Sequence, residues 1–201
     1  MRRRAVRAAT TAAVLLLALG GCAETWGVSY DRPVSPALSR GWRLAGVAVS
    51  VPESLTVSEA NVLMPNADIV WHGDPPGDRR AQVAAIVREG LTRGAAPLRG
   101  SRPVRIAVEV RAFHAVTPRA VAIAPQAVHH IALTVQVLSA NDGAALMPPQ
   151  TIEADLEARV GKAAARPPDE RVRIVDHLAR VFRGWLGLGP DPRRTFRSFG
   201  R

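Results

Sequence analysis

The sequence predicts an α+β domain: a two-layer sandwich of β-α-β-β-β-α order whose sheet is covered by two helices on one face. Three observations predict it. Val104, Ile106, Val108 and Val110 alternate with Arg105, Ala107, Glu109 and Arg111, and Ile131, Leu133, Val135 and Val137 repeat the pattern, so each segment offers one apolar face at period two. Val83, Ile86, Val87 and Leu91, and later Val175, Leu178, Phe182 and Trp185, recur at helical spacing. The 201 residues, 47% hydrophobic and 22% charged, suffice for one core and exclude both a wholly disordered chain and a large multidomain enzyme.

The first element is a leader. Residues 1–7 are basic, and residues 8–19 form an uncharged, twelve-residue apolar stretch. About 7–15 such residues make the apolar region of a signal peptide, too few to span a bilayer as a helix. Leu19-Gly20-Gly21-Cys22 follows and resembles the lipobox of bacterial lipoproteins, in which small residues precede a cysteine that is lipidated and becomes the mature N-terminus. Arg3-Arg4 is not extended into a twin-arginine signal, so the general secretory route is expected. The resemblance implies a signal peptide over residues 1–21, palmitate-type acylation of Cys22, attachment to the membrane through that residue, and a domain facing the periplasm. Two or more acyl chains anchor stably where one is marginal. Ala23 and Glu24 stand where an aspartate would favour inner-membrane retention, so the outer membrane is favoured. Cys22 is the only cysteine, and its acylation leaves no thiol for a disulfide, a zinc site or a nucleophile.

Residues 22–42 lack periodicity and hold Gly27, Pro33 and Pro36; they are expected to form a flexible tether with a reach of about 25 Å. The single α+β domain is expected over residues 43–188. Its first strand carries Val47, Val49 and Val51 and stops at Pro52. An irregular stretch leads to Asp78, which opens a helix that Gly94 is expected to close. The strand of Val104 follows, with Phe113 out of phase and hence a bulge or strand end near Ala112. Pro118 and Pro125 bracket a loop before the strand of Ile131, and Asn141-Asp142-Gly143 signals a hairpin turn. Ile152, Ala154, Leu156, Ala158 and Val160 alternate with Thr151, Glu153, Asp155, Glu157 and Arg159; a helix also fits these residues, but the period-two alternation is cleaner and predicts a last strand. After a loop over residues 161–168, Asp169 and Glu170 sit at the positive end of the final helix. Residues 189–201 are expected to be a basic, disordered tail.

The composition gives a formal charge of +10; without Arg2, Arg3, Arg4 and Arg7 of the leader, 23 basic residues face 17 acidic ones, or +6. Lys162 is the only lysine, and the arginines are dispersed, so no nucleic-acid partner is expected. The five histidines (His72, His114, His129, His130 and His177) show no metalloprotease spacing, and adjacent strand residues His129 and His130 point to opposite faces. No metal or other cofactor is therefore expected. Glu153, Asp155 and Glu157 share one strand face, where solvated carboxylates are expected. No nucleophile elbow or phosphate-binding glycine loop occurs, so a non-enzymatic protein is expected. The alternative is a ligand- or metal-binding hydrolytic domain built on His72, Asp74 and His114.

Val57-Ser58-Glu59-Ala60-Asn61 and the run from Ala67 through Trp71-His72-Gly73-Asp74-Pro75-Pro76-Gly77-Asp78-Arg79, with the lipobox and the valine-rich strands, resemble an uncharacterised family of small bacterial lipoproteins. The element order is more loosely similar to envelope-transport auxiliary lipoproteins. The resemblance implies a lipid-anchored accessory or adaptor of an envelope assembly and brings no catalytic residues with it. A partner site is expected at Trp71, Asp74, Arg79 and Arg80, because Trp and Arg are the types enriched at binding hot spots and a proline-stiffened loop is cheap to order. Helix capping by Asp78 accounts for the aspartates and prolines of the same loop but not for its tryptophan and arginines, and the competing structural role for Trp71 is a lid folded back on the sheet edge.

Overall fold

The computed structural model describes residues 24–166 and 169–198. The chain runs through β1 (Glu24–Ser29), α1 (Pro36–Ser39), β2 (Trp42–Ser50), β3 (Val57–Ser58) and β4 (Ile69–Val70) to α2 (Arg79–Ala95). Next come β5 (Arg102–His114), α3 (Pro118–Ile123), β6 (Val128–Ser139), β7 (Gln150–Ala154) and β8 (Leu156–Glu157). A 3-10 turn (Gly161–Ala165), α4 (Glu170–Trp185) and β9 (Arg194–Ser198) complete it. Elements β2, α2, β5, β6, β7 and α4 follow the expected β-α-β-β-β-α order, to which β1, β9 and the short elements are added.

Strands β5 and β6 form an antiparallel spine with Val137 opposite Ile106, Val135 opposite Val108 and Leu133 opposite Val110. Because side chains alternate along a strand, this register lays all six on one face, and all six are buried. The register shifts between Val110 and Ala112, and Phe113 pairs with Ile131. The bulge thus returns Phe113 to the apolar face, as its phase predicts. Strand β2 runs parallel to β5 through the crossover helix α2, and β4 continues along the same edge. On the other side, β7 and then β8 pair with β6.

Helices α2 and α4 cover the apolar face and pack on each other. Asp78 caps α2 by accepting from Ala81 N–H, and Asp169 caps α4 by accepting from Val172 N–H. Gly94 does not end α2: the helix continues to Ala95, and Gly94 is not among the glycines with positive φ. A Cβ on Gly94 would lie 2.7 Å from Ala179 O, and one on Gly90 would lie 2.7 Å from Leu178 Cβ. These two glycines let the helix backbones approach.

Three further expectations give way. Residues 24–29, assigned to the flexible tether of residues 22–42, form β1, which is paired with β7 and β9. The signal was there, since Trp26, Val28 and Tyr30 recur at period two, but Gly27 and the nearby prolines masked it. The expected disordered tail over residues 189–201 contains β9, with Phe196 opposite Trp26 and Arg194 opposite Val28. The loop between Pro118 and Pro125 contains α3, whose N-cap Thr117 accepts from Ala120 N–H. Cys22 and the leader lie outside the described residues.

Candidate functional site

The proline loop ahead of α2 is held from within. Trp71 is 2% exposed and meets Phe113 edge-on at 5.8 Å, while its Nε1–H donates to Asp74 Oδ2 at 2.8 Å. Arg79 is 5% exposed; it grips both carboxylate oxygens of Glu59 at 2.7 and 3.0 Å and donates to the Asp74 and Pro75 carbonyls. Arg80 donates to the carbonyls of Glu53 and Leu55. Its two arginines, unfavourable beside a helix N-terminus, are explained by the irregular 53–59 segment that they clamp onto α2. Of the expected partner site of Trp71, Asp74, Arg79 and Arg80, the tryptophan and first arginine are buried and hydrogen-bonded within the fold, because the loop folds back over the sheet edge.

The alternative set of His72, Asp74 and His114 is not assembled either. Asp74 is taken by Trp71, with Arg171 at 3.5 Å, and His114 Nδ1 donates to the Ala67 carbonyl at 2.9 Å. Burial lowers the pKa of His72, and the neighbouring Arg79 lowers it further against the opposing pull of Glu59. Its Nε2 is shut off from solvent without a hydrogen-bond partner.

Strand β6 instead divides its two histidines between two sites, as their adjacency predicts. His129 lies on the helix side. Its Nε2–H donates to Glu170 Oε1 at 2.7 Å, and its Nδ1 receives a long 3.4 Å contact from Val116 N–H. Arg159 and Arg173 also bind Glu170. Burial pushes the Glu170 carboxyl up, but hydrogen bonds from His129 and Arg173 outweigh it and hold the pKa at about 2. The pair borders a cavity of about 310 Å³ whose other walls include Trp71, His72 and Val121. Among the described residues, no hydroxyl or thiol lines that cavity.

His130 belongs to the opposite face. Its Nδ1 lies 2.8 Å from Asp155 Oδ1 and 3.8 Å from Glu153 Oε2. Asp155 is 4% exposed and accepts from Gly27 N–H at 2.9 Å, so the expected solvated trio of Glu153, Asp155 and Glu157 is broken up. The chain leaves strand pairing at Asp155, between β7 and β8, which turns that carboxylate inward; Glu157 alone of the three is exposed. Among the described residues, His130, Glu153 and Asp155 are the group of potential ligands whose atoms converge, all within 4.8 Å. Sequence reasoning missed it because His130 and Glu153 are brought together only by the β6–β7 pairing.

No helix among the described residues is long and apolar enough to cross a membrane. No curated protein matches the chain. Among solved structures the chain is similar to a provisionally assigned lipoprotein from Caulobacter crescentus CB15, with 14% identity, 71% of this chain and 86% of that chain covered, and a TM-score of 0.38. It is also similar to a PelC dodecamer from Paraburkholderia phytofirmans, with 13% identity, 79% of this chain and 97% of that chain covered, and a TM-score of 0.39. At this level neither likeness carries a function across. A model of DUF6778, a family of unknown function, matches residues 42–201.

Proposed function

Since the chain belongs to the DUF6778 family of unknown function, its task has to be argued from its own residues, and we propose that it is a lipid-anchored, non-enzymatic accessory domain of a bacterial envelope assembly. The observation that carries this reading is Leu19-Gly20-Gly21-Cys22 at the end of the apolar leader segment. Acylation at Cys22 would stand two residues ahead of Glu24, where β1 begins. Such an anchor sets the β1–β9 edge close to the bilayer, rather than hanging the domain on a leash of some twenty residues. Ala23 and Glu24 support the outer membrane, with the domain facing the periplasm. The non-enzymatic part is supported at the alternative set, where Asp74 accepts from Trp71 and His114 donates to the Ala67 carbonyl.

The test is Cys22→Ala, followed by metabolic labelling with a fatty-acid analogue, membrane fractionation and crosslinking in intact envelopes. The variant should take up no label, accumulate at precursor size and lose the crosslinked adducts that the wild-type chain forms. A variant that still runs at mature size and sediments with membranes would overturn the anchor. A wild-type chain that forms no discrete adduct would overturn the accessory role alone.

A further inference from the structure

We propose that His130, Glu153 and Asp155 form a site for one divalent transition-metal ion, of the zinc class, in the cleft between β1, β6 and β7. The ligand set is one imidazole and two carboxylates, a mixture that suits borderline divalent ions better than calcium or magnesium, which prefer oxygen alone. Ions of this class hold such ligands at about 2.0–2.2 Å, which in tetrahedral geometry separates neighbouring ligand atoms by about 3.3–3.6 Å. The separations of 2.8 Å from His130 Nδ1 to Asp155 Oδ1 and 3.8 Å to Glu153 Oε2 bracket that spacing. A metal entering there replaces the proton that His130 and Asp155 share.

Charge and hydrogen bonding point the same way. Two carboxylates face one imidazole in a part-buried cleft, and a divalent cation balances them where a single imidazolium does not. Glu153 Oε2 is shut away from solvent and receives no hydrogen bond. A carboxylate oxygen in that state is costly, and an ion is one of the few things that satisfies it. The His130–Asp155 hydrogen bond by itself accounts for Asp155 but leaves this oxygen unexplained.

The surroundings are those of a supported site. Gly27 N–H fixes the second oxygen of Asp155 at 2.9 Å, as outer partners orient metal ligands. The Trp26 ring stands edge-on to His130 at 5.5 Å and lines the cleft, in which a metal-bound water would complete the ion's shell. The cleft, about 300 Å³ and lined also by Thr25, Ser29 and Thr195, leaves space for such a fourth ligand. Three protein ligands then leave one position of a tetrahedral shell for water.

The experiment is calorimetric titration of the full chain, purified in detergent and stripped with chelator, with zinc chloride, alongside thermal unfolding with and without the ion. One ion should bind per chain, and the unfolding midpoint should rise on loading and fall back with chelator. Glu153→Gln keeps the side-chain shape and removes one ligand charge. It should leave the metal-free midpoint in place and weaken binding by more than about tenfold, since even outer-shell changes cost about 10–100-fold. Absence of saturable binding to the wild-type chain overturns the proposal. So does wild-type affinity in Glu153→Gln, which would put the ion elsewhere.

Discussion

His177, on α4 and 3% exposed, has its pKa held at about 4 by burial, with repulsion from Arg180 and Arg194 outweighing weaker help from the Ala154 and Asp155 backbone. An unfolded histidine takes up its proton near 6.5, so between 6.5 and 4 the unfolded chain binds more protons than the folded one. Stability is therefore complete above pH 6.5 and falls as the pH drops through that window, by about 3 kcal/mol in all. Urea unfolding of the wild-type chain and of His177→Leu at pH 7 and pH 4.5 tests this. The variant should lose far less stability between the two conditions, and equal losses would show that His177 is not the group responsible. Glu170 acts in a lower window, since its depressed pKa contributes stability above about 4.5 that is lost as the pH falls toward 2. At this scale the Asp78 cap was legible in the sequence, because capping needs only a residue type and a spacing of three. The burial of Trp71 was not, because its Asp74 acceptor matters only once the loop has closed over Phe113.

Helix α2 shows where element-level rules mislead. By propensity alone, Gly94→Ala should stabilise a helix by about 1 kcal/mol. Here the new methyl would stand 2.7 Å from Ala179 O and 3.1 Å from Phe182 Cβ, so α4 has to move away. Overpacking of this kind costs about 1–3 kcal/mol and exceeds the propensity gain. Gly94→Ala is expected to lower the unfolding midpoint in urea; a raised midpoint would mean that α2 and α4 pack less closely than their glycines imply. The central strands β5 and β6 were the most legible elements, since a half-buried strand writes its geometry into its alternation. A glycine that ends a helix and a glycine that admits a neighbouring helix look alike in sequence. Only the absence of positive φ and the presence of Ala179 separate them.

Across the whole molecule, the two ends of the described chain meet. Strand β9 pairs with β1 from Glu24 opposite Ser198 to Val28 opposite Arg194, so the C-terminal segment closes an edge that begins beside the proposed anchor. Removing residues 194–201 should expose the unpaired edge of β1, cost about 1–3 kcal/mol and promote association through that edge. Chemical unfolding and light scattering of the truncated chain measure both effects, and an unchanged midpoint would show that β9 contributes nothing. Gly27→Ala probes the same contact without deletion, since its Cβ would fall 2.1 Å from Arg194 O. The amino-acid order by itself determined the α+β class, the two long helices and the central strands. Each of these is written in residues near one another, through periodicity or capping. Tertiary structure alone decided that β1 and β9 are partners, that Arg79 holds Glu59, and that His130 meets Glu153 and Asp155. Those contacts join segments whose own patterns are weak, and the free energy that orders them comes from pairing and burial that exist only once the sheet has formed.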